Sequence, residues 1–188
     1  GFVVPFGEVV KDESIRADGT LEKLASLPSV FSENGAGTAG NSSPLNDGTV
    51  AMLITDRAGT DNLGLTGIGR ILGAQVTATN PNEFTLAPVS AIHKVLARTG
   101  KKFSDIKVWE INEAFAVVPM KTARDLGLDL DRVNVNGGAI AMGHPLGATG
   151  GCLVSTMLDE LERRSLKRAL ICMCVGGGMG IASIIERV

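Results

Sequence analysis

The sequence predicts an α/β fold in which helices cover a mixed β-sheet. Three observations point there. Apolar runs suited to strands alternate with segments of helical period over the second two-thirds of the chain. Proline and glycine fall where helix starts and stops require them. The last stretch reads as two strands around a glycine turn.

In chain order, Gly1–Val10 is strand-like and Thr20–Leu27 is a short helix, while Asn34-Gly35-Ala36-Gly37 and Asn41-Ser42-Ser43-Pro44 are loops. Such a segment buries little and reads as a flap on something larger, or as a linker. Val50-Ala51-Met52-Leu53-Ile54 is an apolar run that suits a buried strand or a helix equally. Asp61 to Leu65 is a polar link. Ile68–Thr77 is a strand. Pro88 in a first turn opens the helix Val89–Thr99, with Val89, Ile92 and Leu96 on one face and Gly100 as its stop. Ile106–Ile111 is a strand, and Glu113–Leu126 is a helix closed by Gly127. Pro119 lies inside that helix, so it should kink or start late. Arg132–Asn136 is a strand, Gly150–Arg163 a helix, and Arg168–Val175 with Ile181–Val188 form the terminal strand pair.

Composition narrows the function. A net charge of −2 and no basic run interleaved with aromatics argue against a nucleic-acid partner. No apolar run reaches the ~20 residues of a membrane helix. The three cysteines, an odd number without a disulfide-like pattern, suit a reducing compartment. Gly1 is not an initiator methionine, so a leader is not readable at this end. The terminal Glu186-Arg187-Val188 is not a Ser-Lys-Leu-type peroxisomal address.

Candidate chemical residues gather where strands end. Asn112 follows Val108-Trp109-Glu110-Ile111, His144 stands in Gly143-His144-Pro145-Leu146-Gly147-Ala148-Thr149-Gly150, and Cys174 ends the run Leu170–Met173. Sites in open α/β sheets collect at strand C-terminal ends. Each residue also has an ordinary structural reading, the asparagine as a cap or turn, the cysteine as core. His93, Cys152 and Cys172 are left in that ordinary class. Together the three allow more. A partly desolvated thiol at a glycine turn can act as an acid or base. The side-chain-free amides of Gly176 to Gly178 can approach an oxyanion, and an imidazole can donate to another or accept a thiol proton. These are the needs of a Claisen condensation of thioesters. A nucleophile to hold the acyl group is lacking.

Other readings of the glycines fail. A dinucleotide fingerprint would need a glycine where Ile181 stands, and no phosphate loop is present. Cys172-Met173-Cys174 has one residue between thiols and no second pair, so neither zinc nor a cofactor is indicated.

The blocks Asn112-Glu113-Ala114-Phe115, Asn134 through Gly150, and Cys174-Val175-Gly176-Gly177-Gly178-Met179-Gly180 resemble those of the thiolases. Thr38 through Gly48 matches a fourth family block in the right order. The resemblance covers essentially the whole chain but only the C-terminal half of a family-length enzyme. It implies a layered fold of two similar halves with an inserted loop domain. Residues 1–45 would end the loop domain, 46–60 the N-terminal core, and 61–188 would be the C-terminal core.

The resemblance further implies roles. His144 would activate the acyl-carrying cysteine and contribute one oxyanion contact, alongside a water held by Asn112. Cys174 would be the acid/base at the α-carbon of acetyl-CoA, and the amide of Gly176 would serve a second oxyanion hole. Ala39 and Ser43 would line the coenzyme A pantetheine tunnel, and Phe115 would border the acyl pocket. Phe84-Thr85-Leu86-Ala87-Pro88-Val89 resembles the mitochondrial acetoacetyl-CoA thiolases, and a ring at Phe84 would shorten the pocket in favour of short chains. The implied reaction joins two acetyl-CoA into acetoacetyl-CoA and CoA, or reverses it. CoA thioesters are then substrates and no cofactor is needed. The nucleophilic cysteine would come from an N-terminal half, and a homo-oligomer, dimer or tetramer, in the cytoplasm or mitochondrial matrix is expected. The alternatives are a degradative 3-ketoacyl-CoA thiolase for longer chains and a non-catalytic CoA-binding module.

Overall fold

A computed structural model describes residues 7–188. Most of the expected strand Gly1–Val10 therefore lies outside the described residues, and its remainder, 7–10, makes a turn. A short helix α1 (Leu21–Ala25) follows, capped by the Thr20 hydroxyl on the Lys23 amide, and none of its residues is buried. The apolar run at 50–54 forms neither strand nor helix. Leu53 and Ile54 stand 70% and 69% exposed, and Val50 alone finds a snug seat, against Gly151. The expectation of a buried element fails, since every residue of the run is exposed. A helix not expected from sequence, α2 (Arg57–Asn62), replaces the start of the polar link, and the Asp56 carboxylate caps it on Gly59.

Four strands build the sheet: β1 (Gly69–Ala78), β2 (Val108–Ile111), β3 (Arg168–Val175) and β4 (Met179–Arg187). Their order is β1-β4-β3-β2. β4 runs antiparallel to both β1 and β3, whereas β2 runs parallel to β3, so the sheet is mixed as expected. Alternation divides β3 cleanly. Leu170, Cys172 and Cys174 point to one face, and Ala169, Ile171 and Met173 to the other.

Helix α3 (Ala87–Thr99) covers the first face together with α4 (Val117–Leu126). Pro88 sits in the first turn of α3, and Gly100 closes it in the left-handed region at φ 64°. Ile92 and Leu96 are buried there with Ala91 and Val95, against Trp109, Ile111 and Ile184. Pro119 is the third residue of α4, so the helix begins late and runs unkinked. A short helix α5 (Ala139–Met142) precedes the site. Helix α6 (Thr149–Arg163) covers the second face through Leu153, Met157 and Leu161. Truncating a fully buried side chain such as Met157 or Leu161 to alanine should cost about 2–5 kcal/mol.

The expected strand Arg132–Asn136 is absent. Val133 makes one isolated parallel bridge to Trp109, and Leu130–Arg132 is a single 3-10 turn. The reason lies at Asn134, in the left-handed region at φ 48°. Its side-chain amide takes both backbone groups of Ile111, accepting from the N–H at 2.7 Å and donating to the carbonyl at 2.9 Å. A side chain thus occupies the edge of β2 that a strand would have paired.

Candidate active site

The C-terminal ends of β2 and β3 lie side by side, since the amide of Asn112 continues the ladder to the Cys172 carbonyl at 2.9 Å. Asn112 is 1% exposed. Its Nδ2 lies 3.1 Å from His144 Nε2, and its Oδ1 is buried with no partner. A buried amide oxygen left unpaired is costly, on the order of 1–3 kcal/mol. It marks a position where a water, or another hydrogen-bond donor, has something to bind.

His144 is brought to Asn112 by a chain of local constraints. Gly143 turns the backbone at φ 99°, and a Cβ there would meet the Asn46 side chain at 2.6 Å. Asn46 Oδ1 accepts the His144 amide at 3.2 Å, and Leu45 bridges to His144 in parallel. The imidazole Nδ1 lies 2.7 Å from the Thr149 hydroxyl, which itself donates to the Pro145 carbonyl at 2.9 Å. A hydroxyl has one proton. With that proton on Pro145, Thr149 accepts, Nδ1 carries the ring hydrogen, and the Nε2 lone pair receives Asn112 Nδ2–H. Burial pushes the imidazole below its ordinary value, so the neutral form is favoured. The result is a neutral base whose one lone pair, on Nε2, points to the strand end and is met there by Asn112 Nδ2–H.

Cys174 is 6% exposed and lies in the cluster that Phe84, Ala114 and Phe115 border. Burial pushes its thiol up, and a backbone hydrogen bond opposes this in part. Cys172 is deeper and raised further, by burial first. Cys152, on α6, is half-buried. His93 is exposed at the rim of α3, beside the Phe103 ring.

The glycines after Cys174 divide by task. A Cβ at Gly178 would lie 2.3 Å from the Thr79 carbonyl, and one at Gly180 would lie 2.6 Å from the backbone of Ala87, so close packing demands both. Gly176 is exposed and would have open space around a Cβ.

The remaining expected residues fall on one strip. The segment around 41–43 runs along 114–116: Ala116 N–H donates to Asn41 O at 2.9 Å, and Ser43 N–H to Ala114 O at 3.0 Å. The Ser43 hydroxyl donates to the same Ala114 oxygen at 3.2 Å, and Ala39 is exposed four residues earlier. Phe115 stands edge-on to both Phe84, at 6.2 Å between centroids, and Phe31, at 5.5 Å. Two groupings therefore emerge: Asn112, His144, Thr149 and Asn46 at the imidazole loop, and Phe84, Ala114 and Phe115 against the cluster that holds Cys174. Thr149, Asn46 and Asn134 were not singled out by sequence reasoning. The signal for Thr149 was a hydroxyl at a helix start five residues after a histidine.

The Thiolase, C-terminal domain, family model matches residues 65–187, and the Thiolase, N-terminal domain, model matches residues 5–58. An acetyl-CoA acetyltransferase of Chromobacterium violaceum is 43% identical over 94% of this chain and 45% of its own length. A 3-ketoacyl-CoA thiolase of Bacillus subtilis is 42% identical, with the same coverage of each. The crystal structure of human mitochondrial 3-ketoacyl-CoA thiolase in complex with CoA superposes with a TM-score of 0.92 at 40% identity, over 96% of this chain and 46% of that one. The chain thus spans less than half the length of the relatives it matches.

Proposed function

Because this chain belongs to the thiolase family, we propose that it supplies the C-terminal half of an acyltransferase that makes or thiolyses short-chain 3-ketoacyl-CoA. In this reading the acyl-carrying cysteine comes from an N-terminal half. The His144 lone pair takes that thiol's proton as the acyl group is transferred to it. A water on Asn112 Oδ1 and the imidazole together stabilise the thioester oxyanion. Cys174 gives its proton to the departing CoA thiolate, CoA-SH leaves, and the resulting Cys174 thiolate then takes the α-proton of a second acetyl-CoA. The enolate attacks the acyl-cysteine, with the Gly176 amide at the second oxyanion, and acetoacetyl-CoA leaves as the cysteine is freed.

The observation that carries the reading is the Thr149–His144–Asn112 relay, one strand away from a buried thiol. A structural role alone leaves the Asn112 oxygen without a partner. The Phe84–Phe115 pair beside Cys174 supports short acyl chains by narrowing the space there. Ala39 and Ser43, on the strip leading to Phe115, are the proposed pantetheine contacts. The CoA complex of the human relative supports a CoA thioester as substrate. A homo-oligomer, dimer or tetramer, in the cytoplasm or mitochondrial matrix completes the proposal. Among the described residues no helix is long and apolar enough to cross a membrane.

The longer-chain degradative reading has its own support in the Bacillus subtilis relative, one percentage point behind the first. Thiolysis rates on C4 against C8–C16 3-ketoacyl-CoA separate the two, and faster C8 turnover overturns the short-chain assignment. The roles are tested by partial reactions in the chain assembled with its cysteine-bearing half. Cys174→Ala should keep part of acyl-enzyme formation and abolish condensation, whereas His144→Ala should impair acylation itself. Equal loss of both half-reactions in Cys174→Ala refutes the base assignment.

A further inference from the structure

Glu113 follows Asn112 directly, yet its carboxylate touches neither the imidazole nor the thiol. Its Oε1 accepts from Asn134 Nδ2 at 3.0 Å, and its Oε2 accepts from the Ile140 amide in the first turn of α5 at 3.1 Å. The backbone closes tightly on this carboxylate, for a Cβ at Gly138 would lie 2.3 Å from its carbon. The other proton of Asn134 Nδ2 goes to the Ile111 carbonyl, immediately before Asn112. One residue therefore fastens the loop 134–143 at two points, to the end of β2 and to the turn that delivers His144.

We propose that Glu113 is a positioning residue that sets the Asn112–His144 contact by tying the His144 loop to β2; the proposal rests on the catalytic reading of that contact. Both of its partners are donors, so the site needs two acceptor oxygens on one side chain. A carboxylate supplies them. A glutamine of the same size supplies one acceptor and one donor, and whichever way its amide turns, one donor faces another. The loop then loses one of its two anchors. α5 is four residues long and ends at Gly143, so a displaced first turn carries His144 with it.

Two measurements on the chain assembled with its cysteine-bearing half test this. Glu113→Gln should lower kcat for acetoacetyl-CoA thiolysis by about 10- to 100-fold, the effect of a catalytic group misplaced by roughly 1 Å, with KM changed less than about twofold. The sequence has only two histidines, so imidazole 15N spectra give an internal control: His144 signals should move and His93 signals should not. Should Glu113→Gln fail to fold, Gly138→Ala presses on the same carboxylate and should give the same split. Unchanged kcat with unmoved His144 signals overturns the proposal. Equal movement of both histidines with parallel loss of kcat and KM also overturns it, because that is general structural damage. His144→Ala separates the two levels: an inactive His144→Ala beside a normal Glu113→Gln refutes the positioning role alone, whereas undiminished activity in His144→Ala refutes the functional reading beneath it.

Discussion

Glu110 is the residue whose replacement most directly tests the electrostatics of this sheet. It sits in the middle of β2, 2% exposed, with Oε2 unpaired, and the charges of Glu113 and Glu160 face it. Burial first, then those two carboxylates, raise it from 4.5 to about 8. In the folded chain it therefore keeps its proton at neutral pH, while in the unfolded chain it has lost it. Between the unfolded and folded values the folded state binds the extra proton, so stability is greatest below about pH 4.5 and falls as pH rises toward 8. At about 1.4 kcal/mol per unit, the loss from pH 5 to pH 8 is about 3.5 kcal/mol at most, and relaxation or water entry would reduce it to about 2. Glu110→Gln keeps the shape and cannot ionise. Urea unfolding of both proteins at pH 5 to 9 should give a variant whose advantage grows by about 2 kcal/mol across the range. Parallel stability curves would refute the buried, protonated carboxylate.

Other substitutions probe other parts of the argument. Thr149→Val removes the acceptor that holds Nδ1–H, and acylation should fall roughly tenfold or more, as for a hydrogen bond worth about 1.4 kcal/mol; an unaffected acylation rate contradicts the tautomer assignment. Gly178→Ala, at φ 90° and facing the Thr79 carbonyl, should cost more than about 2 kcal/mol in thermal or urea unfolding, while Gly176→Ala should cost under about 1. Equal costs would contradict the division of structural and open glycines. Glu160, buried on α6, meets Arg163 at 2.7 Å, as well as Arg164 and Asn136. Glu160→Ala should destabilise by about 1 kcal/mol in chemical denaturation, because the arginines it leaves are solvent-accessible, and a loss well above that would show the pair to be shielded from water.

The elements that sequence made legible are those whose reasons are local. Pro88 and Gly100 bracket α3, Gly127 ends α4, and β3 and β4 flank their glycine turn, because turn chemistry and backbone freedom are written in single residues. The late start of α4 followed from Pro119 alone. The failures are tertiary. Residues 132–136 have strand composition, but the Asn134 side chain takes the hydrogen bonds of β2 that a strand there would use. The run at 50–54 has core composition, and burial depends on what lies opposite, which no local pattern states. At the site, the principal residues were readable from their blocks, whereas their supports were not. Thr149, Asn46 and Asn134 act through contacts spanning 5, 98 and 23 residues of chain.

The parallel pairing of β2 with β3 has a consequence for how this molecule assembles. β3 and β4 are joined by a three-residue turn and can zip early, because little chain entropy is lost in closing so short a loop. β2 must wait for more than fifty intervening residues, three helices among them, before it can add to that hairpin. The neighbourhood of Asn112 and Cys174 exists only once this edge has docked. Refolding monitored by amide exchange should protect Ile171 and Ile184 before Asn112, so that chemical competence follows the hairpin rather than accompanying it.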